Sequence, residues 1–243
     1  MIQLEHISKS FGNQQVLDDI TFEVNAGEKL CVIGKSGSGK SVMMKLMVGL
    51  LKADRGTVRM AGVEMGSASE EAKTELLHRV GVVFQGAALF DSLDVYENVG
   101  IRLIEDGKLS ASEIRSRSIS ALEKVGLTAD ILKKFPAELS GGMRKRVGVA
   151  RAIIHQPQFL FFDEPTTGLD PVNSDRIDDL IEQLSEEEGR TSIIITHDLA
   201  TVRRVATKVA MVHETHLGFF GTPEDLYASD AKHVREFLLR SGG

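Results

Sequence analysis

The sequence predicts an α/β fold built on a parallel β-sheet covered by helices. Four short apolar runs support this prediction, at residues 30–33, 80–84, 159–162 and 192–196. They lack the apolar-polar alternation of a half-exposed strand, which is typical of strands buried on both faces of a parallel sheet. Each run leads into a glycine or a polar residue. Because the carboxyl ends of parallel strands share one edge of the sheet, we expect these end residues to lie close together.

A second, smaller sheet is expected in the N-terminal part of the chain. Residues 20–25 alternate Ile, Phe and Val with Thr, Glu and Asn, which is typical of a half-buried strand. The stretches 2–8 and 57–65 are candidates to pair with it. We therefore expect an antiparallel β-subdomain beside the parallel sheet.

The middle of the chain is expected to form an inserted helical subdomain, at roughly residues 86–139. Apolar residues recur there at helical spacing, and either Ser110 or Ser112 can cap a helix that runs toward Gly126.

The C-terminal part is also expected to be helical, from roughly residue 222 to residue 243. Thr222 supplies a helix cap, Pro223 suits the first helical position, and two acidic residues follow. We interpret residues 1–243 as a single domain that contains these subdomains.

Composition restricts the classes of function. Hydrophobic residues make up 42% of the chain and charged residues 26%, and no apolar run reaches the roughly 18 residues of a membrane-spanning helix. The start of the sequence lacks the pattern of a secretory signal, so we expect a cytosolic location. A net charge of −6 argues against general affinity for nucleic acid. The only cysteine, Cys31, lies in the first apolar run and is expected to be a buried, inert thiol.

The stretch GKSGSGKS follows the first apolar run and matches a phosphate-binding loop. A glycine-rich surface turn is the alternative, but the preceding strand and the helical run after the loop are the context that the motif requires. Lys40 is expected to reach the β- and γ-phosphates of ATP, and Ser41 to bind Mg²⁺. The prediction is thus a P-loop NTPase core. The expected ATP-binding residues of this loop are Gly34, Lys35, Ser36, Gly37, Ser38, Gly39, Lys40 and Ser41.

Two acidic residues end the third apolar run, in FLFFDEP. Asp163 is expected to hold Mg²⁺ together with Ser41, directly or through water. Glu164 is then expected to orient or deprotonate the water that attacks the γ-phosphate. Solvated carboxylates are the alternative, and the phosphate loop makes the catalytic interpretation preferable.

Three further residues carry weaker signals. Gln85 and His197 each follow an apolar run, where polar residues are often only caps, but their expected position on the shared sheet edge favours a role in the site. Gln85 is a candidate to contact Mg²⁺ or the attacking water, and His197 to donate a hydrogen bond to the γ-phosphate. Phe11 can stack on a purine or pack in the core.

A second glycine-containing helix start occurs in LSGGMRKRVGVARA, residues 139–152. Apolar residues at helical spacing predict a packed helix, and Gly141 and Gly142 at its start suit the close approach of a ligand. Residues 144–146 are basic although the helix dipole disfavours cations at a helix start. An incoming anion would therefore compensate their charge. A solvated basic face with a flexible start is the alternative.

These motifs, taken in order with the TTGLD and THD segments, resemble those of the nucleotide-binding subunit of ABC transporters over nearly the whole chain. In that family two subunits form a head-to-tail sandwich that traps two ATP molecules. The resemblance implies that Ser140, Gly141 and Gly142 contact the nucleotide of the partner subunit, and that Asp170 communicates across the dimer.

The same resemblance implies the roles of other residues. Phe11 would stack on adenine, while Glu164 and His197 would support hydrolysis. ATP binding would close the dimer and move a membrane permease, and hydrolysis would reopen it. Met143 departs from the family pattern, which usually has Gln there, and loses a side-chain amide. The stretch 213–218 departs from the usual glycine turn, and its two histidines are too few for a metal site.

Within the family, GKSGSGKSVMMK and FQGAALFDSLDVYENV resemble the ATPases of Mla-type phospholipid transporters, which work with a permease and an Mce-domain protein. Many other importers have proline at the position of Asp91. Leu89, Phe90, Leu93 and Val95 are candidate permease contacts, although an apolar cluster within the helical subdomain explains them equally well.

Three hypotheses follow from this resemblance. The chain is the ATPase of a phospholipid transporter at the cytoplasmic face of the inner membrane, the ATPase of a polar-solute importer, or a soluble ABC ATPase that acts on ribosomes or DNA. The third class generally has two fused cores or a long coiled-coil insertion, and the absence of both from this sequence argues against it.

Overall fold

The computed structural model describes residues 1–241, and of Glu188 it describes only the backbone. Gly242 and Gly243, the end of the expected C-terminal extension, lie outside the described residues. The strands are β1 (Ile2–Phe11), β2 (Gln14–Val24), β3 (Lys29–Gly34), β4 (Arg55–Met60), β5 (Val63–Glu64), β6 (Val80–Val83), β7 (Phe159–Asp163), β8 (Thr191–Ile195), β9 (Lys208–His213) and β10 (His216–Gly221). The α-helices are α1 (Lys40–Met47), α2 (Glu70–Leu77), α3 (Val95–Asp106), α4 (Ala111–Lys124), α5 (Gly141–Ile153), α6 (Pro171–Glu186), α7 (Leu199–Val205), α8 (Pro223–Ala228) and α9 (Lys232–Arg240). Short 3-10 helices span Ala129–Ile131, Pro136–Glu138 and Glu187–Gly189.

The central sheet has six strands in the order β10-β9-β3-β8-β7-β6. Neighbouring strands from β9 to β6 are parallel, and β10 returns antiparallel to β9. The four apolar runs form β3, β6, β7 and β8, which are consecutive in the sheet. Their carboxyl ends therefore meet at one edge, and the predicted α/β class is confirmed.

The second sheet has four strands in the order β2-β1-β4-β5 and is antiparallel, as expected. One detail of the prediction was wrong: the stretch 57–65 is not a single strand that pairs with β2. The chain turns at Ala61 and Gly62, which have φ values of 50° and 82°, so the stretch contributes to β4 and β5. Strand β1 already pairs with β2, and β4 pairs with the other edge of β1.

The helices α3 and α4 lie in the expected helical region. Ser110, not Ser112, caps α4: its hydroxyl accepts a hydrogen bond from the backbone N–H of Glu113, and the Glu113 carboxylate accepts one from the backbone N–H of Ser110. The helix ends before Gly126, whose φ of 67° suits glycine.

The candidate permease contacts in this region differ in exposure. Val95 is completely buried in the core, Leu89 packs against the core, and Leu93 is half-buried. The side chain of Phe90 is 52% exposed. The apolar-cluster interpretation therefore holds for Val95, and Phe90 is the candidate that a partner can reach.

Two apolar cores lie against the central sheet, and alternate residues of β3 belong to different cores. Cys31 and Ile33 pack with the helical subdomain and with α5, α6, α7 and α9. Leu30 and Val32 pack with α1 and the antiparallel sheet. Burial raises the pKa of the Cys31 thiol, in agreement with an inert side chain. Within residues 1–241 no helix has both the length and the apolar character needed to cross a membrane.

Candidate nucleotide-binding site

The phosphate loop connects β3 to α1, and its glycines are required by geometry. Gly39 caps α1 with a φ of 99°, and a Cβ atom there would lie 2.9 Å from Leu17 Cδ2 and 3.0 Å from the Val16 carbonyl oxygen. A Cβ atom on Gly34 would lie 2.5 Å from the Val212 carbonyl oxygen. The loop consequently presents its backbone to the site without side chains at these positions.

Lys40 is buried at the start of α1. Its ammonium donates hydrogen bonds to the carbonyl oxygens of Gly34 and Lys35, at 2.9 and 3.1 Å, and so lies inside the curve of the loop. Burial lowers the pKa of Lys40, an effect that the nearby carboxylates of Glu164 and Asp163 oppose. A bound phosphate would compensate a cation in this position.

Two of the three residues predicted to hold Mg²⁺, Ser41 and Asp163, lie together and offer oxygen atoms that suit the ion. Ser41 Oγ donates a hydrogen bond of 3.1 Å to Asp163 Oδ1, so a hydroxyl and a carboxylate meet at the base of the loop. Burial raises the pKa of Asp163, which a bound cation would reverse. Ser38 Oγ is buried and has no hydrogen-bond partner among residues 1–241, but Ser38, although predicted to bind ATP, does not line the cavity that contains the other loop residues.

Glu164 follows β7 with a φ of 49°, and both its backbone and its side chain form hydrogen bonds. Its backbone N–H donates to the carbonyl oxygen of Ile195 at 2.9 Å, which ties it to β8. Its Oε2 atom accepts a hydrogen bond of 3.0 Å from Thr167 Oγ1 and lies 2.7 Å from His197 Nδ1. Thr167 lies in the TTGLD segment and was not among the predicted site residues.

These elements surround a cavity of about 750 Å³. Gln85, Glu164 and His197 line it together with Phe11, whose side chain is 49% exposed beside the ammonium of Lys9. Phe237, Arg240 and Ser241, which were not among the predicted site residues, also contribute. The full lining is Phe11, Val16, Gly34, Lys35, Ser36, Gly37, Gly39, Lys40, Ser41, Val42, Gln85, Glu164, Thr167, His197, Phe237, Arg240 and Ser241.

The predicted partner-contacting residues do not line this cavity. Ser140 caps α5, where its hydroxyl accepts a hydrogen bond of 3.2 Å from the backbone N–H of Met143. Asp170 caps α6 by accepting one of 3.1 Å from the backbone N–H of Asn173. Hydrogen bonds from Asn173 lower the pKa of Asp170.

The three basic residues at the start of α5 each donate to a carbonyl oxygen. Arg144 contacts Leu139 at 2.6 Å, and Arg146 contacts Gly126 at 3.0 Å. The ammonium of Lys145 contacts the carbonyl oxygens of both Pro165 and Thr167. Carbonyl oxygens therefore already compensate part of the charge of these cations. Arg144 is exposed, whereas Lys145 and Arg146 are half-buried, so the alternative of a solvated basic face describes Arg144 alone. The expected effect of an incoming anion stays a prediction.

Met143 and the stretch 213–218, which depart from the usual pattern of ABC transporter subunits, have local explanations. Met143 is half-buried and packs against the core, so it extends the apolar face of α5. The ring of His213 stacks on that of His233 at 4.9 Å between centroids. The Nδ1 atom of His216 lies 2.9 Å from the carbonyl oxygen of Asp18.

A glycine-lined phosphate loop, a hydroxyl and a carboxylate for Mg²⁺, and a second carboxylate directly after β7 define a nucleoside-triphosphate hydrolase with a P-loop core. Residues 17–167 match the model of the ABC transporter family. The chain belongs to this family and is the ATP-binding subunit of an ABC transporter, an ATPase that uses ATP and Mg²⁺.

Curated relatives match nearly the whole chain. It is 40% identical over 98% of its length to the probable ribonucleotide transport ATP-binding protein mkl of Mycobacterium leprae, of which it covers 68%. It is 37% identical to the protein trigalactosyldiacylglycerol 3 of Arabidopsis thaliana, with 99% of this chain and 74% of that protein covered. It is 36% identical to the glutamate/aspartate import ATP-binding protein GltL of Escherichia coli, and 99% of each chain is covered.

Solved structures agree with this assignment. A dimeric ATP-binding cassette in a post-hydrolysis state, bound to ADP and phosphate, superimposes with a TM-score of 0.84 at 28% identity, and the match covers 92% of this chain and 99% of that one. ABC cassettes act as dimers with membrane permease partners, so the prediction of a second ATPase subunit and a permease is confirmed.

Proposed function

We propose that this subunit drives phospholipid transport through a membrane permease, with an Mce-domain protein as a further partner. Two stretches support the lipid substrate, GKSGSGKSVMMK and FQGAALFDSLDVYENV, which resemble the ATPases of Mla-type systems. The name of one relative, trigalactosyldiacylglycerol 3, contains that of a membrane lipid. The subunit would act as a single ATP-binding domain, peripheral to the cytoplasmic face of the inner membrane.

We further propose how the cavity residues act. Lys40 would contact the β- and γ-phosphates, Phe11 would stack on adenine, and Ser41, Gln85 and Asp163 would hold Mg²⁺. A magnesium ion supplies positive charge that offsets the charge of the phosphates.

Glu164 would orient or deprotonate the attacking water. In the structure its carboxylate is 15% exposed and bonded to His197 and Thr167. If the side chain of His197 exchanged its hydrogen bond with Glu164 for one with the γ-phosphate, a carboxylate oxygen of Glu164 would become available to bind the attacking water. These two side chains would then change partners when the nucleotide binds.

The observation that carries the head-to-tail dimer is the position of α5. Ser140, Gly141 and Gly142 form a helix start suited to phosphate, yet none of them lines the cavity that contains the phosphate loop of their own chain. A second subunit in the opposite orientation would bring its nucleotide to this helix start. Asp170, also outside the cavity, would then lie at the interface between subunits.

A polar-solute importer is the second candidate. The match to the relative GltL covers 99% of each chain, and its name assigns it to glutamate and aspartate import. The name of mkl assigns that relative to ribonucleotide transport. The ATPase core is common to all of these proteins, so the choice depends on the permease that the subunit binds.

A substitution at Phe90 provides a matched control for binding of the permease. Its side chain is 52% exposed, and its backbone is fixed by hydrogen bonds between its N–H and Asn98 Oδ1 and between its carbonyl oxygen and Asn98 Nδ2. Phe90→Asp should therefore keep the fold and ATP affinity but lose the permease.

The experiment is affinity purification of the tagged subunit from its native membranes in mild detergent, with mass spectrometry of bound proteins and lipids. A permease, an Mce-domain protein and phospholipid should be recovered, and Phe90→Asp should lose all three. Recovery of a polar-solute permease would favour the second candidate. Recovery of ribosomes or DNA without any membrane protein would refute both.

A further inference from the structure

Lys145 joins the helix α5 to the segment that follows β7. Its ammonium donates a hydrogen bond of 2.7 Å to the carbonyl oxygen of Pro165 and one of 2.6 Å to that of Thr167. The two acceptors lie on either side of Thr166, which is itself buried. One cation thus fixes two peptide groups of a segment that has no regular secondary structure.

This segment carries the carboxylate that we assign to catalysis. The hydroxyl of Thr167 donates to Glu164 Oε2 at 3.0 Å, and the backbone N–H of Thr167 donates to the carbonyl oxygen of Glu164 at 3.3 Å. A continuous path of hydrogen bonds therefore runs from the ammonium of Lys145 through Thr167 to the carboxylate of Glu164.

The start of α5 also lies close to Asn173, in the first turn of α6. A Cβ atom on Gly142 would lie 3.5 Å from Asn173 Oδ1, and Asn173 Nδ2 donates a hydrogen bond of 2.6 Å to Asp170 Oδ2. The start of α5 is thus bonded to the segment after β7 through Lys145 and lies close to the first turn of α6 at Gly142.

The ammonium of Lys145 forms its hydrogen bonds with this segment alone. Among the described residues no carboxylate lies within ion-pair distance of its ammonium, and its hydrogen bonds go to the two carbonyl oxygens. Burial lowers the pKa of Lys145, while the charge of Glu164 raises it, so the amine lies within the electrostatic reach of the carboxylate. Its neighbours Arg144 and Arg146 contact other segments.

We propose that Lys145 is a positioning residue that couples the two ATP sites of the dimer. This inference rests on the proposed function, in which the start of α5 faces the nucleotide of the partner while Glu164 faces the nucleotide of its own subunit. A shift of α5 when the partner's nucleotide engages Ser140 moves the carbonyl groups held by Lys145. Thr167 then carries the shift to Glu164, so hydrolysis in one site depends on the closure of the other.

Four variants of the full chain test this role by their kcat, KM and ATP affinity. Lys145→Met removes both hydrogen bonds and should lower kcat by about tenfold to a hundredfold, because misplacement of a catalytic group by about 1 Å has effects of that size. KM and ATP affinity should change by less than about twofold, since Lys145 does not line the cavity. Lys145→Arg keeps two donors and should retain most of kcat, and Lys145→Gln should be intermediate. The matched control Arg146→Met also loses a carbonyl contact from α5 and should behave as the wild type.

The variant Glu164→Gln distinguishes a failure of the role inferred for Lys145 from a failure of the proposed role of Glu164 as catalytic base. Full activity of Glu164→Gln would refute the assignment of the catalytic base, whereas an inactive Glu164→Gln beside a fully active Lys145→Met would refute only the role of Lys145. Adding Lys145→Met to Glu164→Gln should leave ATP-driven dimer formation intact. Loss of dimer formation, or a parallel loss of ATP affinity and kcat, would show that Lys145 is merely structural. If Lys145→Met fails to fold, equal kcat values for Lys145→Arg and Lys145→Gln overturn the inference.

Discussion

Asp178 is a buried carboxyl group whose replacement we predict to stabilise the protein. It lies on α6 with 3% of its surface exposed, and its two oxygens accept hydrogen bonds from the hydroxyl of Thr201 at 2.9 and 3.0 Å. Burial raises the pKa of Asp178 from the ordinary value of 3.8 to about 6. The carboxylate is therefore ionised in a place that disfavours its charge at neutral pH.

The magnitude follows from the shift in pKa. A rise from 3.8 to about 6 at 1.36 kcal/mol per unit corresponds to about 3 kcal/mol of lost stability when the group is fully ionised in both states. The sign is that of an acid with a raised pKa: the cost is absent below pH 4, grows as the pH rises through 4 to 6, and is complete above pH 6 to 7. Asn has nearly the same shape and can still accept a hydrogen bond from Thr201.

Urea unfolding, followed by far-ultraviolet circular dichroism because the chain has no tryptophan, measures the effect. Asp178→Asn should be more stable than the wild type by about 3 kcal/mol at pH 8 and by about half of that at pH 5. The control Asp179→Asn removes the same charge from the exposed face of α6, where it pairs with Arg204, and should show little pH dependence. A variant less stable than the wild type at pH 8, or a difference that is independent of pH, would refute this reasoning.

Two further predictions concern the nucleotide. Lys40→Ala removes the ammonium held inside the phosphate loop and should abolish ATP hydrolysis and weaken ATP binding by at least about tenfold, measured by isothermal titration; unchanged hydrolysis would contradict the assignment of the loop. Phe11→Ala should lower ATP affinity by about five- to tenfold, the value of one stacked base, with little change in melting temperature because the ring is 49% exposed. A lower melting temperature with unchanged affinity would instead identify Phe11 as a packing residue.

The edge of the central sheet could be predicted because it follows from a local pattern. Apolar runs without alternation predict buried parallel strands, and the ends of such strands meet by geometry. Glu164 and His197 are 33 residues apart in sequence, and the structure brings Glu164 Oε2 and His197 Nδ1 within 2.7 Å. The phosphate loop was predictable because GKSGSGKS is a contiguous motif between a strand and a helix.

Contacts between distant segments could not be predicted from spacing. Phe237 and Arg240 line the cavity because α9 packs against the central sheet, and no pattern near them in sequence indicates this. The partners of Lys145 lie 20 and 22 residues away, and a basic residue near a helix start gave no sign of them. The break at Ala61 was also missed, because only Gly62 beside it favours a positive φ.

The head-to-tail dimer is the central claim, and the mass of Glu164→Gln in solution tests it most directly. With ATP and Mg²⁺ the variant should shift from a monomer of 26.5 kDa to about twice that mass, as measured by light scattering. Glu164→Gln combined with Ser140→Arg should bind ATP with equal affinity, because Ser140 does not line its own cavity, yet remain monomeric. A monomer at saturating ATP, or a dimer that tolerates Ser140→Arg, would contradict the assignment of the α5 start to the partner's nucleotide.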